Sequence, residues 1–596
     1  MKINIKKTAI TVGLFLAYSS AITAQSYPFP LPATVSATLN IKTGTKVKYK
    51  NAQLGLNLTR LSDSNGKDLF RKWGTLGARF PHGLFSNWYD WRTDETKLFG
   101  SEMITLQNAR NQTVQREVDK LSSIKTFETS HSKVGIGVLE SLYKERTAKF
   151  DIVWTFNMSA DGRDVNNSNE TKARYDDLKR RGLPVDFVEM GNENFYPGQR
   201  STIIPNTWNY IARAKAMSKA LKAKNRNIQV SVPMLRRGNA FNPNWNAALA
   251  RDQSFFDAVT VHSYQGEDPD GNASSDGIEY GLIARKTLKE SIDNYARKVT
   301  SKPIWLTEWG VKSAGGSNAV SALGAADCYL YMSENMDTYH RATWFTPTGS
   351  LNSFYPTITN SKGRPVPDPT RKTVFAAMYE AVKSVFAYSE VYTTSILTSP
   401  NITSGVKGVS ARATLKGGRI KIIAVNLTSK PAAFVIKING VKYTKNFNHK
   451  AIKFNNLTDT PLYNIGDNAL KDVRNGRGHV TSLPKFSINV ITLSSTSAKG
   501  VVLNDKNISV ETEETDESLL RSVNVFPNPT TKDFNISLFG MEKADITITD
   551  MLGKVIYKKS TIEPNVNIGQ AFKSGLYLIK VVDDNKKEYI KKLIIN

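Results

Sequence analysis

Between residues 50 and 346 short apolar runs alternate with longer stretches of helical period, and this alternation constrains the fold more than any other feature of the chain. Repeated strand–helix units of this kind build a parallel sheet covered by helices. The apolar runs fall at residues 52–56, 76–80, 150–156, 185–190, 229–232, 256–262, 303–307 and 342–345. Eight such strands fit a closed (β/α)8 barrel. Between them, residues 207–224 keep Tyr210, Ala214, Met217 and Leu221 on one side, and residues 282–299 do the same with Leu288, Ile292 and Tyr295. That spacing predicts amphipathic helices.

Two of the predicted strands end in glutamates. The fourth runs into Val188-Glu189-Met190-Gly191-Asn192-Glu193, and the seventh into Ile304-Trp305-Leu306-Thr307-Glu308-Trp309-Gly310. Side chains at the C-terminal strand ends of a barrel point into its mouth, and strands four and seven face each other across it. Two carboxyl groups held a few ångströms apart, one ionised and one protonated, are the minimum equipment for breaking a glycosidic bond. Glu189 is the rival to Glu193, but it falls deeper in the packed barrel, where charge is costly. Trp88, Tyr196, Trp309 and Trp344 follow strands and are expected to stack on sugar rings, whereas Trp154 and Trp305 are expected in the core.

The rest of the chain divides around this barrel, expected over 50–385. Residues 1–24 read as a secretory signal: Lys2, Lys6 and Lys7 precede an apolar run too short to span a bilayer, and Ala21-Ile22-Thr23-Ala24 supplies a cleavage site. Residues 25–49 alternate and are expected to add strands to a β-sandwich over 386–495, where runs such as 420–426, 433–438 and 486–493 are broken by Gly and Asn turns. Residues 496–522 are acidic and lack aromatics, as a linker does. The single cysteine, Cys328, rules out an intramolecular disulfide framework and falls within a predicted buried helix.

The tail, 523–596, carries Val525-Phe526-Pro527-Asn528-Pro529, Asp550-Met551-Leu552-Gly553-Lys554, Ser574-Gly575-Leu576-Tyr577-Leu578 and a final Lys591-Lys592-Leu593-Ile594-Ile595-Asn596. In order and spacing these closely resemble the C-terminal sorting domain of the type IX secretion system of Bacteroidetes. The resemblance implies partnership with that machinery and an extracellular or surface-attached product. Similarly, Gly191-Asn192-Glu193 and Thr307-Glu308-Trp309-Gly310 resemble the retaining clan of (β/α)8 glycosidases that includes arabinofuranosidases, β-xylosidases, β-glucuronidases and endo-galactanases. It implies that Glu193 is the acid/base, Glu308 the nucleophile, and Asn192 a ligand of the neighbouring sugar hydroxyl. Arg79 matches the clan's arginine beside the nucleophile, and His262 and Tyr264 match positions that bond the nucleophile or the sugar. Phe80-Pro81-His82-Gly83 resembles the clan's Phe-Pro-Gly-Gly loop, with His82 where glycine is usual.

Most of the formal net charge of +27 falls on residues 25–498, which suits an anionic polymer. Nucleic acid is not expected, since no nucleic-acid-binding module is recognisable in an exported chain. Six scattered histidines form no zinc motif, and no glycine loop for a nucleotide precedes a helix, so no metal or cofactor is expected. Glu267-Asp268-Pro269-Asp270-Gly271-Asn272 lacks the glutamate that closes a calcium loop and reads as a solvated acidic loop. The expectation is therefore a secreted, endo-acting retaining glycosidase on an anionic or sulfated algal galactan, of agarase, porphyranase or carrageenase type. Arg92, Arg200, Arg236, Arg237 and Lys312 near the strand ends favour it. The alternatives are an exo-acting arabinofuranosidase or β-xylosidase, and a surface polysaccharide-binding protein on an inactive barrel.

Overall fold

The computed structural model describes residues 27–494 and 522–595, apart from residues 64, 97–132, 160–167, 202, 239–241, 267–276, 314–315, 350–351, 362, 527, 531–532, 540, 542, 564, 570–571 and 585. The signal peptide expected over 1–24, most of the linker and the acidic loop at 267–272 therefore lie outside the described residues. Two compact units divide the chain at residue 496.

The first unit contains a closed parallel barrel of eight strands: Gly55–Asn57, Gly77–Phe80, Asp151–Phe156, Phe187–Met190, Gln229–Met234, Ala258–Gln265, Ile304–Val311 and Tyr339–Trp344. Each overlaps one of the eight apolar runs. Their residues are nearly all buried because helices cover the outer face and side chains fill the inner one. Toward the N-terminal strand ends, Val153, Ala258, Trp305 and Phe187 pack together. The Arg341 guanidinium lies 3.1 Å from the Phe187 ring centroid and pairs with Asp151 at 2.7 Å. The barrel is thus plugged at that end, which leaves the opposite mouth for chemistry.

Helix Thr207–Lys224 forms where the spacing predicts it, with Tyr210, Ala214, Met217 and Leu221 buried and the Asn206 side chain capping the amides of Trp208 and Asn209. The second predicted helix is divided into Ala284–Ser291 and a π turn at Ile292–Ala296. The wider turn brings Ala296 into the buried stripe and leaves Tyr295 half-exposed. Helices Ala319–Glu334 and Val374–Phe386 touch both each other and the larger sheet of the neighbouring sandwich. Buried on nearly every side, they carry few charges, and Cys328 is sealed inside the first of them.

Residues 409–416, 419–426, 446–453 and 487–493 form the centre of a seven-stranded antiparallel sheet, which Lys46–Lys48 joins through Glu390–Tyr392. Facing it is a five-stranded sheet in which Val35–Ile41 pairs in parallel with Ala432–Ile438. Leu39, Phe434, Ile436, Ile422 and Ile491 fill the space between the sheets. The N-terminal segment therefore contributes one strand to each layer before entering the barrel.

The second unit has two sheets, one of three strands and one of four, with Phe534, Ile536, Ile546, Ile548, Ile579, Val581 and Leu593 in a shared core. Among the described residues no helix is long and apolar enough to cross a membrane.

Barrel closure between strands one and eight depends on close approach at Gly55. A Cβ there would lie 2.6 Å from Thr343 Cγ2 and 2.8 Å from the Ala342 carbonyl oxygen. Gly55→Ala is expected to destabilise the protein by about 1–3 kcal/mol through overpacking. Thermal unfolding would register this as a lowered Tm, and an unchanged Tm would contradict the packing described here.

Candidate active site

At the barrel mouth the geometry is organised by Arg79, whose side chain is fully buried at the end of strand two. Its Nε and Nη2 donate to Glu189 Oε2 and Oε1 at 2.8 and 2.9 Å, a bidentate pair. Nη1 donates to Glu308 Oε1 at 2.7 Å, and Nη2 also reaches Asn192 Oδ1 at 2.8 Å. Burial disfavours the charge on Arg79, but Glu189 and Glu308 more than offset it and hold the guanidinium protonated. Burial likewise pushes the Glu189 carboxyl up, and the charges of Arg79 and His262 outweigh it, leaving the group below its ordinary range. Glu189 is therefore buried as expected, but paired, which is how the interior tolerates its charge.

Glu308 lies on strand seven with only 5 % of its surface exposed. Its second oxygen, Oε2, accepts from the Tyr264 hydroxyl at 2.8 Å, so each carboxylate oxygen has a fixed donor. Burial, then the charge of Glu308, raise the Tyr264 pKa well above that of a free tyrosine and keep the phenol a donor. Gly83 lies alongside: a Cβ there would sit 3.9 Å from Glu308 Oε1 and 3.7 Å from the Phe345 ring. His82, half-buried, lies next to this glycine, its ring 6.1 Å from Phe85.

Across the mouth, Glu193 has a φ of 45°, a left-handed conformation uncommon for glutamate, and follows Gly191 at φ 80°. The turn is held by the Tyr196 amide, which donates to the Glu193 carbonyl at 2.8 Å. An amide network fixes the residues around it. Asn87 Nδ2 donates to the Asn192 carbonyl at 2.7 Å, and its Oδ1 accepts from the Asn192 amide at 2.9 Å. Gln199 Oε1 accepts from Asn87 and Asn192, and its Nε2 donates to Glu193 Oε2 at 3.1 Å.

His262 on strand six joins the two halves. Its Nδ1 is 3.2 Å from Glu193 Oε1, an ionic contact without the alignment of a hydrogen bond, and 3.6 Å from Glu308 Oε2. Because one atom touches both, the two carboxylate oxygens are less than about 7 Å apart, compared with about 5–5.5 Å for retaining and about 6.5–9.5 Å for inverting glycosidases. On the other side of the ring, Nε2 is 3.1 Å from Thr307 Oγ1 and 3.6 Å from Glu189 Oε1. Burial lowers the pKa of the ring, yet Glu308, Glu189 and Glu193 together raise it to about 9, so it is a cation at neutral pH.

Arg79, Asn192, Glu193, His262, Tyr264 and Glu308 are thus brought together in one mouth, while three of the expected aromatics are not exposed to it. Trp88, Trp309 and Trp344 are buried. Trp309 follows Glu308 directly in the strand, so its side chain turns to the opposite face. There it packs against Tyr329 and Trp344 at centroid distances of 4.7 and 4.9 Å. Trp344 packs on Phe375 and donates to the Asn352 carbonyl at 2.8 Å. One residue on, half-exposed Phe345 lies 6.0 Å from the Tyr264 ring and takes the position expected for Trp344. Asn87, Gln199, Glu189 and Phe345 are the site-forming residues that sequence reasoning missed or set aside. Asn87 lies four residues beyond the Phe80-Pro81-His82-Gly83 loop singled out after strand two and next to Trp88, which was the available signal.

Residues 524–596 match the family described as Secretion system C-terminal sorting domain. Among curated proteins, Ulvan lyase NLR42 of Nonlabens ulvanivorans is 36% identical over 92 residues, or 15% of this chain and 17% of that protein. An endo-acting ulvan lyase of Formosa agariphila is 41% identical over 95 residues, 15% of this chain and 18% of that protein. The chain therefore spans less than a fifth of either relative, and stretches of that length cannot contain the barrel. Among solved structures, the GH51 arabinofuranosidase of Xanthomonas axonopodis pv. citri aligns over 77% of this chain and 100% of its own, with a TM-score of 0.53 and 14% identity. The α-L-arabinofuranosidase of Thermotoga maritima aligns over 77% and 100%, with a TM-score of 0.52 and 16% identity. The fold is accordingly glycoside-hydrolase-like, a (β/α)8 barrel with further β-sheets. Its C-terminal sorting domain marks the protein for type IX secretion, to the medium or the cell surface.

The raised pKa of His262 has a defined consequence for stability. A group whose folded pKa is raised contributes stability in full below its unfolded value of about 6.5, and that contribution is lost as pH rises through the folded value. The Tm difference between wild type and His262→Gln is expected to change between about pH 6 and 10, the wild type losing its relative advantage toward the alkaline end. A difference constant across that range would contradict a charged His262.

Proposed function

We propose that the barrel mouth hydrolyses a glycosidic bond with retention of configuration, Glu308 acting as nucleophile and Glu193 as acid/base. The observation that carries this reading is the shared contact of both carboxylates with His262 Nδ1, at 3.2 and 3.6 Å, which keeps their oxygens within about 7 Å of each other and so outside most of the inverting range. Charge balance supports the same division of roles. Arg79 and His262 are cations, Glu189 and Glu308 are the carboxylates they neutralise, and Glu193 is left as the group that can hold a proton without adding net charge.

In the first step Glu193 gives its proton to the leaving oxygen while a Glu308 oxygen, oriented by Arg79 and Tyr264, attacks the anomeric carbon. In the second, Glu193 takes a proton from water, which displaces Glu308 from the glycosyl-enzyme. Asn192 is positioned to bond the sugar hydroxyl beside the reacting carbon, and Phe345 supplies the apolar face against the ring. No metal or cofactor takes part in these steps.

The substrate we infer is an anionic polysaccharide cleaved internally, with a sulfated algal galactan as first choice. Support comes from the basic surplus of the chain and from secretion. The two relatives named as ulvan lyases are polysaccharide-active, but the short shared stretch leaves their chemistry with them. An exo-acting arabinofuranosidase is the second reading, favoured by the arabinofuranosidase barrels that share the fold.

Glu308→Gln is expected to abolish turnover. Glu193→Gln should slow natural polymers by about 10²–10⁴-fold and aryl glycosides with good leaving groups much less, because these need no proton. The assay is release of reducing ends from algal and plant polymers with product sizing, alongside ultraviolet detection of unsaturated sugars. Unsaturated products would overturn hydrolysis in favour of elimination, and wild-type rates in both variants would overturn the assignment of the residues.

A further inference from the structure

We propose that the barrel-facing side of the seven-stranded sheet, where it extends past helix Val374–Phe386, is a second carbohydrate-binding surface that takes a stretch of polysaccharide bearing sulfate or carboxylate groups. It goes beyond the reading of the barrel mouth and does not depend on it. Ser384 lies in the last turn of that helix, which follows strand eight and runs back toward the N-terminal strand ends. The surface beside Ser384 therefore stands at the end of the barrel away from Glu193 and Glu308.

Successive side chains along a strand leave the sheet on opposite sides. Ile423, Val425, Ile452, Ile488 and Val490 face the barrel and join its core, while Ile422, Ile491 and Phe447 face the other sheet. Further along the same strands the barrel-facing positions turn polar. Register sets Thr414, Lys421, Thr492, Asn448 and Asn475 in one row across strands 409–416, 419–426, 487–493, 446–453 and Lys471–Arg477. The next row outward runs through Lys416, Arg419, Ser494, Asn446 and Arg477, with the Ser494 amide donating to the Asn446 carbonyl at 2.9 Å. At about 4.8 Å between neighbouring strands, a row crossing five of them is about 19 Å long. Arg419, Asn446, Asn448, Asn475, Thr492 and Ser494 help to line a cavity of about 450 Å³ within this track.

The charge on this face is one-sided. The five strands contain a single acidic residue, Asp472, which lies 3.8 Å from Lys450. Among the described residues no carboxylate pairs with Lys416, Arg419, Lys421 or Arg477. Lys416 and Lys421 both donate to the Ser384 carbonyl, at 3.3 and 3.4 Å, so two ammonium groups converge on one neutral oxygen. The negative end of the helix offsets part of their repulsion. Burial and then the charge of Lys421 still pull the Lys416 pKa down to about 8, and burial and then Arg419 lower that of Lys421. An anion laid along the row reverses both shifts. Arg419 and Arg477 are exposed, and Arg477 spends only its Nε on the Thr444 carbonyl, at 2.9 Å. Between the cations stand hydroxyls and amides, of which Asn448 donates to Asn475 at 2.6 Å. Neither row contains an aromatic residue, so the surface is built to read charge and hydroxyl groups rather than to stack on rings. A chain with charged groups at intervals and hydroxyls between them complements that arrangement, and a guanidinium fork matches the paired oxygens of a sulfate ester or a carboxylate.

Affinity electrophoresis of the full chain reads this surface without any turnover, in gels carrying a sulfated galactan, its desulfated form, a uronate polymer or its carboxyl-reduced form. Wild type is compared with the double variants Arg419→Gln/Arg477→Gln and Arg419→Lys/Arg477→Lys, with Tm measured to establish folding. Both arginines are exposed and lie outside the mouth, so binding by the mouth is common to all three proteins. Wild type is expected to be retarded by at least one anionic polymer and not by its neutral counterpart. The glutamine pair should weaken the Kd by about five- to tenfold, and the lysine pair should recover most of it. The pair of gels that responds identifies the group as sulfate or carboxylate. Equal retardation by charged and neutral forms, or undiminished binding by the folded glutamine variant, overturns the surface. Duplex DNA held as tightly as the galactan through the same arginines also overturns it, by showing an unselective polyanion patch. A wild-type dimer in light scattering that the glutamine variant disperses gives the face to a second copy of the chain instead. None of these results bears on hydrolysis by Glu193 and Glu308, and turnover undiminished in Glu308→Gln leaves the surface standing.

Discussion

The ion cluster around Arg79 is the interaction on which the rest of the mouth depends. A fully buried guanidinium is tolerable only when its donors are met, and here strands one, four and seven supply acceptors in Asn57, Glu189, Asn192 and Glu308. Removing one partner of such a buried pair typically costs about 3–5 kcal/mol, because a charge is left stranded. The same bonds that stabilise the barrel's interior therefore fix Glu308. Asn57 extends the arrangement by donating to the Thr307 carbonyl at 2.8 Å and to strand eight, so the closure of the barrel and the aim of the carboxylate are one problem.

Glu193 is held differently. It stands on a turn in left-handed conformation, positioned by neutral amides from Asn87, Asn192 and Gln199 and touched by His262. Local strain of this kind persists only where surrounding bonds over-determine the backbone, and it collects at functional sites. A carboxylate anchored by a buried arginine and another poised on a strained turn beside solvent suit different tasks. In the proposed reaction the first stays ionised and immobile and the second exchanges protons. His262 connects them, and its positive charge allows three carboxyl groups to share a small volume.

Much of this was legible from periodicity. Tyr210, Ala214, Met217 and Leu221 define one helix face because a helix repeats every 3.6 residues, and all four are buried. Glu193 and Glu308 could be singled out because barrels expose the C-terminal ends of their strands. The aromatic positions were less legible, and Trp344 illustrates why. Adjacent residues at a strand end face opposite ways, so a one-residue uncertainty in where the strand stops exchanges Trp344 for Phe345. Trp309 should have been set aside on the same ground, since it neighbours the inward-facing Glu308. The bidentate grip of Arg79 on Glu189 could not be read at all, because pairing across the barrel leaves no trace in local sequence.

The sorting domain directs the barrel out of the cell, which is where the proposed polymeric substrate would be met. The central claim is that Glu308 becomes covalently bound to the sugar. The most direct measurement is mass spectrometry of peptides after incubation with activated 2-fluoro glycosides, which slow the second step and trap the intermediate. The account predicts a single glycosylated peptide carrying the label on Glu308. A label on Glu189 or Glu193, or turnover of these compounds without any covalent species, would contradict it.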